Sequence, residues 1–483
     1  MSTSHQSIEK ISDTISFHTR QVQDLPWRTE PEIDAERQRY LVERLAITPD
    51  IKRGIYSFKD VKLSRADIEW MLATQENRRG PRGWNGEHRP AQVGLDLRGA
   101  DLCQINLSGM PLAGMVGGRN WVVQFPSIEE QRDLARVHLE RADLSGAHLE
   151  EAFLGGAHLE GAYLREVHLE GSDLVGARLE GADFSGAHLE GANLVGAHLE
   201  GANLVGAHLE GANLVGAHLE GANLVGASLR GKPVSADYLK RVRQWDKETL
   251  LPANLQGAFF NSATALEDII LGEEKYGFVS LADAHWGGVN LSVVDWDAVT
   301  MLGDERRARQ TTWLYSYQVA VRAYRQLAAV TREQGLNEEA LRFAYRAELL
   351  QRRVLWRQML QLKRRGRTGL RRLMHKMVDY FFSWLFDLLA GYGYKPLRSL
   401  IAYLLVIGTF TVIFYALGMV YGPHLSWGEL LATSMASFHG RSFFPDQSHL
   451  AGPQAFVALI EAFVGVIIEV SFIVAFVRRF FSK

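Results

Sequence analysis

From Leu139 to Leu229 a leucine stands at every fifth position, 19 times in succession, with Phe184 as the one substitute. Alanine usually precedes it by two residues, as in AHLEG, ANLVG and ADFSG. A period of five matches neither the 3.6 of an amphipathic helix nor the 2 of a strand. Strict register over this length requires a coil that turns at fixed corners and sends the same position inward at each corner. The outward positions accumulate charge, so residues 137–230 carry 14 acidic and 4 basic residues, a local net of −10.

Bulk composition conceals this tract. The chain has 483 residues, a formal net charge of −2, 22% charged and 47% hydrophobic residues and a mean hydropathy of −0.09. Those averages describe an ordinary soluble protein and exclude a disordered, collagen-like or generally basic chain. They are a cancellation, because residues 304–376 carry 18 basic and 6 acidic residues, a local net of +12. The single cysteine, Cys103, excludes an internal disulfide framework and a cysteine-based zinc or iron–sulfur site within one chain. The opening MSTSHQSIEKISDT has neither a basic start nor an apolar run, so no secretory signal is expected there.

The A-(D/N)-L-x-x pattern of these residues resembles the pentapeptide-repeat family. The resemblance implies a right-handed quadrilateral β-helix with four pentapeptides per coil and the central leucine and preceding alanine inside. At the strand spacing of about 4.8 Å the main run makes nearly five coils, about 23 Å long. Out-of-phase tracts flank it, with Leu97, Leu102, Leu107 and Leu112 before and Leu255, Phe260, Trp286, Leu291 and Trp296 after. The resemblance therefore covers roughly 91–300, with insertions at 113–136 and 231–252, behind a mainly helical region at 1–90.

Eight of the 16 histidines (138, 148, 158, 168, 188, 198, 208 and 218) stand just before an inward leucine, and glutamates from Glu140 to Glu220 recur every ten residues just after it. With twenty residues per coil, these make two opposed faces, each with a histidine ladder beside a glutamate ladder. Such ladders read as a solvated face copied along with a duplicated repeat. A pH sensor and a metal-binding ladder are the other readings. No cofactor and no resident metal are expected.

Residues 301–376 read as a basic helical hairpin connector, with an apolar face through Trp313, Tyr315, Val319, Tyr324 and Leu327 and a break at Gln334–Asn337. The pattern loosely resembles a tetratricopeptide-like hairpin, although an antiparallel pair is an equal reading. Its arginines suit anionic lipid headgroups or a neighbouring acidic solenoid. Residues 377–396, with Asp379 and Asp387 in MVDYFFSWLFDLLAGYG, are too short and polar to span a bilayer and suit a helix lying in the headgroup layer.

Two uncharged or nearly uncharged stretches follow, 399–420 and 454–477, the second with Glu461 and Glu469. Each exceeds the ~20 residues that cross a bilayer as a helix. Basic residues precede the first, from Lys363 to Arg398, and follow the second, at Arg478, Arg479 and Lys483, whereas only Arg441 lies between them. The positive-inside rule then places both termini in the cytoplasm of a cell-membrane protein.

Between the spans, residues 425–437 read as a short helix, followed by SFHGRSFFP. So apolar a connection suits a re-entrant segment, which membranes tolerate only where it lines a cavity or is buried in protein. Here residues 397–483 resemble the two-transmembrane, potassium-channel-like pore-loop channels: outer helix, pore helix, filter, inner helix. That resemblance assigns a filter to Ser437, Phe438, His439, Gly440, Arg441 and Ser442, a hinge to Gly465, and pore-lining positions to Glu469 and Ile473. It places Trp427, Glu429 and Glu461 behind the filter, and it implies a homotetramer. The potassium signature T-x-G-Y-G-D is absent: with Gly440 on its first glycine, Arg441 and Ser442 fall on the tyrosine and second glycine. Potassium selectivity is therefore not implied. Four copies of Glu469 would form an acidic ring that favours cations, and Arg441 opposes it unless it pairs with Asp446.

The expected function is a gated, cation-conducting channel whose partners are membrane lipids, inorganic ions and an unknown cytosolic ligand of the solenoid. The alternative is a membrane-anchored scaffold without conductance. A third class, the DNA-mimicking gyrase protectors found among pentapeptide-repeat proteins, fits the acidic face but not the apolar spans or the basic hairpin, so no nucleic-acid partner is expected. No G-x-G-x-x-G, Walker A, G-x-S-x-G or H-E-x-x-H motif occurs, and no enzymatic activity is expected.

Overall fold

The computed structural model describes residues 27–50, 53–79, 94–118, 135–233, 249–250, 252–364, 370–393, 396–421, 426–439 and 452–480. The chain divides into two compact units, one of residues 1–311 and 330–336, the other of residues 312–329 and 337–483.

A stack of coils fills the first unit. Through the main run, parallel bridges pair residues twenty apart, from His138 with His158 to His208 with Ser228. The Leu149 amide donates to the His168 carbonyl at 2.7 Å, and the His168 amide returns to the Ala147 carbonyl at 3.0 Å. Every inward leucine from Leu139 to Leu229 is at least 99% buried, as is Phe184. Each such burial contributes about 1.5–3 kcal/mol. The corners explain the recurrent glycine: Gly196 has φ +62°, where a Cβ is strained. At the equivalent corners Arg141 and Glu166 tolerate φ +56° and +52°.

Bridges also locate the interruptions. Val116 pairs with Asp96 and with Phe153, so residues 113–117 complete a coil side and the first insertion starts later than expected. The second insertion opens on a two-stranded antiparallel ladder, β1 (Lys232–Pro233) with β2 (Thr249–Leu250). A hairpin absent from the sequence reading, β3 (Gly272–Glu273) with β4 (Gly277–Phe278), lengthens one coil between Asn254 and its bridge partner Ser280. Beyond it Trp286, Leu291 and Trp296 point inward and are buried.

Both ends of the stack are closed. At the N-terminal end α1 (Ala35–Leu45) and α2 (Arg65–Arg79) bury Leu41, Ile68 and Met71. Lys62 already bridges Asp101, which starts the stack well before residue 91. Arg37 bonds Asp67 at 2.9 Å, and Glu69 accepts from Arg65 and the Thr29 and Glu30 amides. Burial raises the Asp67 carboxyl, but the hydrogen bonds from Arg37 and from the Ser64 amide and hydroxyl outweigh it and hold the pKa below the usual range. At the other end α3 (Gly303–Thr311) places Asp304 against the Gln256 side chain and the Leu281 amide.

The second unit is helical. Helix α4 (Leu314–Glu333) and α5 (Asn337–Arg364) form the expected hairpin. Tyr324 meets Phe343, and Arg357 lies over Tyr317, an antiparallel pairing. The turn between them is a Schellman cap, with Gly335 at φ +79° and the Leu336 amide bonded to the Thr331 carbonyl. Helix α6 (Leu370–Ala390) begins earlier than 377, taking the upstream basic residues into one amphipathic helix that exposes Phe381, Phe382, Trp384 and Phe386. Three further helices follow: α7 (Pro396–Tyr421), α8 (Trp427–Phe438) and α9 (Gly452–Phe480). Within α7 and α9, Leu397–Val420 and Gly452–Ile473 are long and apolar enough to cross a membrane, and only 17% and 33% of their most apolar windows are buried by protein.

Candidate functional site

Helix α8 packs against both α7 and α9 and buries Leu430, Ser434, Ser437 and Phe438. It starts with a capping box: Ser426 accepts from the Glu429 amide, and the Glu429 carboxylate accepts from the Ser426 amide at 2.8 Å. Trp427 stacks on Tyr415 at 4.7 Å. Trp427 and Glu429 are the residues expected behind the filter. Both lie in the first turn, and a 12-residue helix separates its ends by about 16–18 Å.

Polar and close-packed ties fix the other end of α8. The Ser434 hydroxyl donates to the fully buried Glu461 carboxyl of α9 and lies 3.1 Å from the Ile407 carbonyl of α7, so three helices meet at one side chain. One turn on, a Cβ built at Gly465 would lie 2.1 Å from the Phe438 carbonyl oxygen. Gly465, expected at a hinge, is thus the place where the end of α8 touches α9. Phe438 is fully buried and meets Tyr403 edge-on at 4.9 Å.

His439 leaves this packed end exposed. Its Nδ1 donates to the Met435 carbonyl at 2.9 Å, and its Nε2 lies 3.5 Å from the Glu469 carboxylate, which is 42% exposed. The structure thus brings His439, Gly465, Glu469 and Glu461 around the end of α8. Ser437 is buried there with no hydrogen-bond partner for its hydroxyl among the described residues. Ile473 is exposed on α9, one turn beyond Glu469. Gly440, Arg441, Ser442 and Asp446 lie outside the described residues.

Sequence reasoning missed two contributors. Asp387 bonds Arg352 of α5 at 2.8 Å, Tyr345 of α5 at 3.0 Å and Arg398 of α7 at 3.3 Å, so α6 ties the hairpin to the first apolar helix. Burial and this carboxylate raise the Tyr345 phenol above its ordinary pKa. Ser434 was the other; its only sequence signal is a small polar residue in an apolar helix.

On the solenoid the two histidine faces differ. Rings of His148, His168, His188 and His208 stack at 4.7–4.9 Å within 6° of parallel. Beside them Glu150, Glu170, Glu190 and Glu210 are 93–99% buried, which corrects the expectation of a solvated face. On the opposed face Arg178 interrupts the histidines and bonds Glu160 at 2.9 Å and Glu180 at 3.5 Å. The carboxylates there stay 25–36% exposed. Burial lowers the His158 pKa against the pull of Glu160. Nearby, burial and the hydrogen bond to Glu140 push the Cys103 thiol up to about 12, so it is not a reactive thiolate.

The family model described as pentapeptide repeats, in 8 copies, matches residues 130–161, 153–191, 162–201 and 192–231. Among solved structures, a pentapeptide-repeat protein of the Arabidopsis thaliana thylakoid lumen is 34% identical, covering 20% of this chain and 73% of its own, with a TM-score of 0.16. HetL, a pentapeptide-repeat protein involved in heterocyst differentiation regulation in the cyanobacterium Nostoc sp. strain PCC 7120, is 26% identical, with coverages of 47% and 93% and a TM-score of 0.21. QnrB1, a plasmid-mediated fluoroquinolone resistance protein, is 17% identical, with coverages of 44% and 82% and a TM-score of 0.24. A comparison with curated proteins returns no match.

Proposed function

We propose that this chain, a pentapeptide-repeat protein whose C-terminal region holds two helices of bilayer-spanning length, is a gated ion channel in which four copies surround one cation pathway. The observation that carries the reading is α8: a short helix held against both apolar helices by the Ser434–Glu461 bond and the Gly465–Phe438 contact. A two-helix anchor needs no third helix packed between its spans, whereas a pore needs one to aim a filter. Exposed apolar residues on α7 and α9, such as Leu404, Leu405, Phe463 and Val470, then meet lipid or neighbouring subunits. Glu469 and His439 stand where the filter segment begins, and four carboxylates there attract cations.

In this reading α6 lies in the headgroup layer, and Asp387 transmits force from the hairpin to α7. The solenoid faces the cytoplasm and binds a partner or senses a signal. The test is cation flux into proteoliposomes holding the purified full chain, with its mass measured in native detergent complexes. Tetramers with flux support the channel.

The scaffold reading has two observations in its favour: the family match is confined to 130–231, and the sequence from Ser437 to Pro445 carries one glycine, Gly440, beside Arg441. Monomers or dimers without flux would favour it.

A further inference from the structure

Buried carboxylates with an open oxygen need a cation. Glu150 and Glu170 are 7% and 6% exposed, and the Oε2 atom of each has no hydrogen-bond partner among the described residues. Their Oε1 atoms face imidazoles, His148 Nδ1 at 3.0 Å and His168 Nδ1 at 3.3 Å. Ionised carboxylates this far from water are stable only when paired or bound to a metal. On the opposed face Glu160, Glu180, Glu200 and Glu220 leave the same oxygen open and His198, Glu200 and His218 form a like group, but those carboxylates stay 25–36% exposed to water and Arg178 lies against Glu160 and Glu180. At the corresponding positions of the His148 face, His168 and His188 continue the ladder and no arginine appears.

Protonated imidazoles are a poor substitute. The rings of His148, His168 and His188 stack face to face at 4.7 and 4.8 Å, so charging neighbours sets like charges against each other. A divalent ion avoids that repulsion, since it uses neutral imidazoles and neutralises two carboxylates at once.

The geometry points to a binding site for divalent transition-metal ions of zinc's class, formed by His148, Glu150, His168, Glu170 and His188 as two overlapping triads on successive coils. In each triad, His148–Glu150–His168 and His168–Glu170–His188, the ligand atoms lie within 4.8 Å of one another. Ligands on one tetrahedral zinc, each at about 2.0–2.2 Å from the metal, stand about 3.3 Å apart. The histidine–glutamate pairs already have that separation, and rotation about the side-chain bonds closes the remainder. Nitrogen and oxygen donors without sulfur select zinc, nickel, cobalt or copper(II) over calcium. Adjacent triads share His168, so the site fills with one ion per two coils.

The test uses the untagged full chain in detergent, stripped with a chelator and dialysed against zinc at pH 7.5. Retained metal is counted by mass spectrometry, and affinity is read by competition with a chromophoric chelator. Wild type should retain at least one zinc per chain. His168→Asn, which breaks both triads, should weaken binding at least tenfold, and the double variant Glu150→Gln/Glu170→Gln, which removes one carboxylate from each triad, should do so without loss of a hydrogen-bonding side chain, whereas His198→Asn on the opposed face should stay within twofold of wild type. Circular dichroism shows which variants keep the solenoid, and the Glu150→Gln/Glu170→Gln double variant serves if His168→Asn does not. No zinc above the dialysis buffer, or equal weakening by His198→Asn, overturns the proposal. So does a cobalt(II) complex without tetrahedral absorption bands.

Discussion

Two glycines in the apolar helices should respond to alanine in opposite directions. Both Gly408 in α7 and Gly465 in α9 sit inside long helices, where glycine costs roughly 0.5–1 kcal/mol relative to alanine. At Gly408 a new Cβ meets nothing within 4 Å, so Gly408→Ala should stabilise by up to about 1 kcal/mol. At Gly465 it would lie 2.1 Å from a backbone oxygen, 0.9 Å inside the 3.0 Å floor for such contacts, with a ring carbon of Phe438 at 3.1 Å. The carbonyl cannot rotate away as a side-chain tip can, so α8 must shift against α9. Overpacking of this kind costs about 1–3 kcal/mol, which exceeds the helix-propensity gain. Scanning calorimetry of the full chain in nanodiscs, with loss of near-ultraviolet dichroism as a second probe, should show Gly408→Ala at or above wild type and Gly465→Ala clearly below it. Equal shifts for the two variants would refute the close approach of Phe438 to α9.

Four further outcomes follow from named contacts. Ser434→Ala strands the Glu461 carboxyl and should cost about 1–3 kcal/mol, seen as a lower melting temperature that Glu461→Leu partly restores in the double variant. Gly196→Ala, at φ +62° with open space around it, should cost about 1–2 kcal/mol through backbone strain alone, measured by urea unfolding. Asp67 has a folded-state pKa below its unfolded value, so its contribution is complete above about pH 4 and is lost as pH falls through the folded pKa. Asp67→Asn should flatten that acid limb in a pH series of melts. Asp387→Ala removes the partner of Arg352 and Arg398; it should increase hydrogen exchange of the facing turns of α5 and α7, and in flux assays alter gating without altering ion preference.

The solenoid is legible because one residue in five repeats an identical environment, so Leu149 and Leu169 need no long-range information to be placed. The difference between its two histidine faces is not legible, since Glu150 and Glu160 occupy the same motif position and only the surrounding coil decides which is buried. In the helical region, hydropathy marks α7 and α9, and the apolar character of their connection marks the short helix between them. Gly465 shows the limit: a helix glycine suits a hinge or a close contact, and the contact it makes is with Phe438, 27 residues away. Asp387 reads locally as a polar interruption. Its partners are 35 and 42 residues upstream and 11 downstream, a distance at which pattern carries no signal. Glu429 is the reverse case: its partner Ser426 lies three residues away, and the Ser-x-x-Glu spacing of a capping box is legible locally.

Conductance is the most direct measurement of the central claim. Purified full chain in a planar bilayer, with asymmetric potassium, sodium and chloride across it, should give unitary currents whose reversal potential follows the cation gradient. Glu469→Gln should move that potential toward zero by weakening cation preference. Silence across voltage, pH and calcium, with the protein shown to be inserted, would contradict the account and leave the pentapeptide-repeat module on a membrane anchor.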